Sequence, residues 1–413
     1  MKSVLMVAFH FPPQAGSSGV QRTLRFAQHL PRFGWQPLVL TAHPMAYTAT
    51  RGDLLHDIPP GMVVERAIAF DCARHFSLFG RYPGALARPD RWASWRFDAL
   101  RRADSLIETH RPRLIWSTYP ISTAHLIAAQ VARRHGLPWV ADFRDPMAQT
   151  GYPADPKTWA QWAKIEHTAL KDAAATVFVA PGARRFYEAR YPTLDARRWQ
   201  VIENGYDEDS FTPCEARAPL DDTRLTLLHS GLIYPSERDP RPLFEALATL
   251  PRDFTPRFVL RLRACGDAAW ANALIERYGV GHFVHTAPAL EYREALREMQ
   301  RADALVVMQA ANCNDQIPAK VYEYLRADRP MLGLVDAAGD TAQWMARIHA
   351  PSAPMLANPA DPAALAAALM RFVRSLAADT APLPTPDAVA GASRLARSRA
   401  LAQLFDRLEG PST

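Results

Sequence analysis

Short apolar runs recur along the chain, each followed by a helical pattern, and the series starts twice. The first series is Val4–Ala8, Pro37–Leu40, Leu114–Ser117, Trp139–Ala141 and Thr176–Val179; the second is Leu225–His229, Phe258–Arg263, Ala304–Met308 and Met331–Leu334. Strands that alternate with helices pair in parallel through βαβ crossovers, so each series predicts one parallel sheet. A chain of 413 residues also exceeds what one hydrophobic core usually serves, and two domains of roughly 200 residues are expected. The predicted class is α/β, two doubly wound Rossmann-like domains facing across a cleft. The Asn204-Gly205 turn marks the boundary, giving domains 1–205 and 206–386 and a C-terminal helix in 387–413.

Hydrophobic residues make up 48% and charged residues 22% of the chain, and its apolar runs fall well short of the ~20 residues of a membrane span. The four cysteines, Cys72, Cys214, Cys265 and Cys313, include no C-x-x-C pair, which argues against a zinc site or a disulfide framework and fits a reducing cytoplasm. A net charge of +6 suits an anionic partner. The basic residues are scattered, however, so nucleic acid is not the expected one. From His75 to Arg102, Phe76, Leu78, Phe79, Tyr82, Leu86, Trp92, Trp95 and Phe97 are interleaved with arginines, a composition that suits the edge of an anionic membrane or a helical excursion packed on the first domain.

Three junctions between a strand and a helix hold the candidate chemistry. At Asp315-Gln-Ile317-Pro318-Ala319-Lys320-Val-Tyr-Glu323, a helix starting near Pro318 turns its free N–H groups toward an anion, and Glu323 one turn in can accept from a pair of hydroxyls. At His229-Ser-Gly231-Leu232, a strand ends in a glycine turn, and Arg238 and Arg241 follow at a helix start, where a cation is unfavourable without an anion beside it. After the first strand, Gly16, Ser18, Gly19 and Arg22 form a glycine- and serine-rich turn that exposes backbone N–H groups. It is not G-x-G-x-x-G, which speaks against a dinucleotide fingerprint. Tyr119 and Asp142-Phe-Arg144-Asp145-Pro146 stand at predicted carboxyl ends of strands, which face the ligand crevice of an open parallel sheet. His125 reads as a packed helix residue, and Asp207-Glu208-Asp209 as a linker turn rather than a metal-binding D-x-D.

The Asp315 to Glu323 spacing resembles the E-x7-E element of retaining GT-B glycosyltransferases, with Asp in place of the first Glu. The glycine loop, the Arg144-Asp145-Pro146 element, Asn204-Gly205 and the Gly231 to Arg238 segment occur in that family's order across about 350 residues. The chain is therefore similar to family-4 retaining GT-B glycosyltransferases, which use nucleoside-diphosphate sugars and build bacterial surface polysaccharides. The resemblance implies a first domain for the acceptor, a glycan or lipid-linked hydroxyl, and a second for the donor. It assigns Arg238, Asp315, Glu323 and Arg144 to catalysis. Gly16, Gly19, Gly231, Arg238, Arg241, Ile317, Pro318, Ala319, Lys320 and Glu323 would bind the donor, and Ser18, Tyr119, Asp142, Arg144 and Asp145 the acceptor. No metal or cofactor is implied. The family's diphosphate-binding Arg is replaced here by Leu232, leaving Arg238 at the position of its Lys. A nucleotide-sugar epimerase of the same architecture, a non-catalytic nucleotide- or sugar-binding protein and a nicotinamide-dependent oxidoreductase are the alternative classes.

Overall fold

A computed structural model of the chain describes residues 1–15, 19–79, 81–211, 218–251 and 253–409. They form two compact units, one running from Met1 to Asn204 and resuming at Arg394, the other spanning Gly205–Ser393.

The first unit holds β1 (Lys2–Val7), β2 (Trp35–Ala42), β3 (Val63–Ala67), β4 (Leu114–Thr118), β5 (Trp139–Phe143), β6 (Ala175–Phe178) and β7 (Trp199–Val201). They lie in the order β3-β2-β1-β4-β5-β6-β7, every pair parallel. Side chains alternate across a strand, and β1 supplies both faces. Leu5 and Val7 pack with Ala99, Leu106, Ile127 and Ile165, while Val4 and Met6 pack with Leu24, Phe26, Leu401 and Phe405. Each such fully buried aliphatic side chain contributes about 1.5–3 kcal/mol, which is why a strand with no polar face sits at the centre of the sheet.

The helix Arg394–Glu409 belongs to this unit. Phe405 meets Trp35 edge-to-face at 5.2 Å, and Lys2 pairs with Asp406 and Glu409. The sequence suggests one continuous helix over this region, but Pro386–Gly391 is a separate short helix of the second unit. It ends where the Tyr206 N–H donates to the Ala392 carbonyl and the Tyr206 hydroxyl to that of Val389.

The second unit holds β8 (Leu225–Ser230), β9 (Phe258–Arg263), β10 (Val284–Ala287), β11 (Ala304–Met308), β12 (Met331–Leu334) and β13 (Met355–Ala357), again all parallel, in the order β10-β9-β8-β11-β12-β13. The helices Arg241–Ala248 and Pro362–Ala377 cover one face, where Phe244, Leu247, Leu365 and Phe372 meet Leu227, Leu262, Val306 and Leu334. In each unit the first strand is flanked by its successor on one side and by a later strand on the other. Connections leave such a pair in opposite directions and open a crevice at the carboxyl ends, beside β1 and β4 and beside β8 and β11.

Candidate functional site

In the second unit, the chain leaving β8 must turn sharply. Gly231 does so with φ of +128°, a conformation that disfavours any side chain. A Cβ there would also lie 3.3 Å from Nζ of Lys320, the first residue of the helix Lys320–Arg326. Lys320 Nζ donates to Nε2 of His229 at 3.0 Å and approaches the Ser230 carbonyl at 3.4 Å. His229 is fully buried, and its Nδ1 lies 2.9 Å from the Val306 carbonyl. A carbonyl only accepts, so Nδ1 holds the imidazole proton and Nε2 is left as an acceptor facing Lys320. Burial first, and then the charge of Lys320, push His229 well below the usual histidine range. Burial and then the nearby Arg238 charge likewise drive Lys320 well below the usual lysine range, with Glu323 opposing.

Arg238 is half-buried. Its Nη1 donates to the Tyr234 hydroxyl at 3.2 Å and the guanidinium lies 5.3 Å over the Tyr234 ring, while the buried Nε has no hydrogen-bond partner among the described residues. The Tyr234 hydroxyl in turn donates to Glu237 at 2.6 Å. Arg238 also lines a largely aliphatic cavity of about 390 Å³ with Pro235, Met308, Leu334 and Leu365. Glu323, half-buried one turn into its helix, accepts from the Tyr292 hydroxyl at 2.8 Å. Tyr292 opens the helix Tyr292–Arg301, which follows β10 and so reaches the same carboxyl end. Behind it, Glu298 holds Arg263 at 2.6 Å and Arg261 at 2.9 Å, and Arg263 also donates to the Pro288 carbonyl, fixing the loop after β10.

The remaining donor-side positions are placed unevenly. The helix begins at Lys320 rather than Pro318; Ile317 is buried, and Pro318 and Ala319 lead into the first turn. Asp315 is exposed in the turn before it. Arg241 is paired with Asp239 at the surface, both Nε and Nη2 committed to that carboxylate, so the cation expected to help Arg238 is already engaged. Leu232, 55% exposed, leans on Gly266 and brings no charge.

In the first unit, Gly16 and Ser18 lie outside the described residues, as does Cys214. Gly19 opens the helix Gly19–His29, and a Cβ on it would overlap the Arg144 guanidinium and come within 2.8 Å of His10. Any larger residue here would make Arg144 and His10 shift. Burial, and secondarily Arg144, lower the His10 pKa to about 3. Burial also lowers that of Arg144, against the opposing carboxylates of Asp145 and Asp142. The loop bearing Arg144 and Asp145 is pinned just beyond them. Buried Glu166 accepts from the Ala148 N–H at 3.0 Å, and Tyr187 links the Met147 N–H to the same carboxylate.

Asp142 departs from the sequence reading. Fully buried, it accepts from Arg22 at 2.7 and 3.1 Å and from the Thr118 hydroxyl at 2.8 Å, while Arg22 reaches on to the Ile202 and Glu203 carbonyls. It clamps β4 and β5 to the chain after β7, and its oxygens are not offered to an acceptor. Tyr119 is likewise buried, edge-on to Trp162. His125 is fully buried against Ser117. Asp207 accepts from Ser210 and Glu208 pairs with Arg326, as a turn requires. No group of three or more His, Cys, Asp or Glu is placed to hold a metal among the described residues. None of the described helices is long and apolar enough to cross a membrane.

Sequence reasoning named Lys320 among the donor residues but not its contact with His229, and it assigned no role to His229, Tyr292 or Tyr234. Polar residues at strand ends and helix starts were the available signal, but which of them converge depends on strand order.

Residues 18–205 match the glycosyl transferase 4-like domain model. No curated protein matches the chain by sequence. Among solved structures, sucrose-phosphate synthase from Thermosynechococcus elongatus superposes with a TM-score of 0.62 at 14% identity, covering 99% of this chain and 96% of that one. Anabaena HepE in complex with UDP-glucose gives 0.59 at 16%, covering 98% and 96%. A putative UDP-N-acetylglucosamine 2-epimerase from Listeria monocytogenes gives 0.57 at 11%, covering 98% and 94%. The two parallel sheets thus have the GT-B fold of these structures, and residues 18–205 within the first unit match the glycosyl transferase 4-like domain.

Proposed function

We propose that the protein moves a sugar from a nucleoside-diphosphate sugar, bound by the second unit, to a hydroxyl of a glycan or lipid-linked acceptor bound by the first, with retention and without a metal. The observation that supports it best is the convergence of Gly231, Arg238 and the Tyr292-held Glu323 at the carboxyl ends of the second sheet. Arg238, with an unused buried donor, faces the charge that grows on the leaving diphosphate, and Glu323 accepts from ribose hydroxyls. The bond from the anomeric carbon to phosphate breaks and the acceptor oxygen bonds to the same face of the sugar. Its proton passes to the departing phosphate oxygen, so no side-chain base is needed. On the first unit, Arg144 and Asp145 are the acceptor-side groups. HepE was solved with UDP-glucose, which supports a nucleotide-sugar donor for the shared fold.

A fold shared with a putative epimerase makes donor conversion without acceptor the competing reading. Incubating the protein with a panel of UDP-, GDP- and ADP-sugars, with and without glycan acceptors, separates them. Nucleoside diphosphate released only with acceptor, at a rate that a chelator leaves unchanged, is the expected result. Isomerised donor in the absence of acceptor, or a rate abolished by chelator, contradicts it.

A further inference from the structure

We propose that Lys320, aimed by the buried His229, is the second diphosphate-binding cation beside Arg238. This rests on the nucleotide-sugar reading above and gives the Lys320 side chain a specific task within it. A lysine at a helix start normally extends into water, but Lys320 folds back onto the end of β8, into space that exists because residue 231 has no Cβ. Its partner is an imidazole nitrogen rather than a carboxylate. The Nδ1–H bond to Val306 fixes the ring so that Nε2 can only accept. His229 therefore orients the amine without neutralising it.

Arg238 is close enough for its charge to oppose that of Lys320, and Glu323 counters it there. Two cations brought together at a partly buried site cost stability unless an anion sits between them. A diphosphate supplies that anion, and its arrival strengthens the hold of Lys320 on its proton. Leu232, pointing toward Gly266, leaves this duty to Lys320.

The test is isothermal titration of UDP, GDP and ADP into the wild-type protein, repeated for the tightest binder and its monophosphate with Lys320→Met and Lys320→Arg. Lys320→Met is expected to weaken the diphosphate about tenfold or more and the monophosphate much less, with Lys320→Arg in between. In wild type, titrations in two buffers of different ionisation enthalpy should show proton uptake on binding that Lys320→Met lacks. Unaltered diphosphate affinity and no proton uptake overturn the inference while the donor reading stands. If Lys320→Met fails to fold, wild-type proton uptake and the Lys320→Arg comparison decide alone. Failure of the wild type to bind any of the three diphosphates removes the donor reading itself.

Discussion

At the residue scale, the same chemical type does opposite work depending on where its partners lie. Asp142 and Asp145 are three positions apart around one strand end, yet Asp142 is sealed by Arg22 and Thr118 while Asp145 is exposed. Removing one member of a buried ion pair leaves the other uncompensated, so Asp142→Ala should destabilise the protein by about 3–5 kcal/mol. Chemical denaturation checks this; an unchanged midpoint together with lost acceptor affinity would return Asp142 to the acceptor site. Glu323 and Arg238 could be named as candidates from sequence because each follows a strand end at a fixed spacing. Asp142 was misread because spacing says nothing of an arginine 120 residues earlier that occupies both its oxygens. Lys320 was legible only as part of a helix start; its return to His229, 91 residues away, depends on β8 and β11 being neighbours.

At the element scale, the strands that the apolar runs mark are the inner ones. Phe258–Arg263, Ala304–Met308 and Met331–Leu334 occur with the residues expected. The four strands without such a signal, β3, β7, β10 and β13, are the edges of the two sheets. An edge strand is covered less completely and paired on one side only, so Val-Val-Glu-Arg-Ala or Val-His-Thr-Ala can serve without a continuous apolar run. The arginine- and aromatic-rich segment divides in the same way. Trp95 is fully buried and Trp92 is tied to the Ala46 carbonyl, whereas Phe76, Leu78, Phe79 and Phe97 are exposed, Phe79 to 96%. Arg96 lies over Phe97 at 5.2 Å. We propose that this surface meets an anionic bilayer at its interface, where a lipid-linked acceptor would be presented. The protein should therefore float with vesicles containing phosphatidylglycerol and release as salt rises, and Phe79→Asp should weaken the association. Equal flotation with purely zwitterionic vesicles, or none with either, contradicts this surface assignment.

At the scale of the whole molecule, the first unit stores an acid sensitivity unrelated to transfer. Trp139 Nε1 donates to the Ser117 hydroxyl, which shares a hydrogen bond with His125 Nδ1 at 2.8 Å. Burial lowers the His125 pKa to about 3. The unfolded chain binds this proton near 6.5 and the folded one only near 3, so His125 costs no stability above pH 6.5. As pH falls from 6.5 toward 3, it costs about 1.4 kcal/mol per unit. Denaturation midpoints measured from pH 7.5 to 4.5 should fall more steeply for wild type than for His125→Asn. Parallel curves would mean that His125 is protonated in the folded state.

The two units share an architecture, and the second brings together a positive-φ glycine, an arginine with an unused buried donor and a carboxylate held by a tyrosine hydroxyl. Titrating nucleoside diphosphates into wild type, Arg238→Ala and Glu323→Ala tests that assignment most directly. At least one diphosphate should bind wild type and bind each variant at least about tenfold more weakly. Binding that is indifferent to both substitutions, or no binding at all, would contradict it.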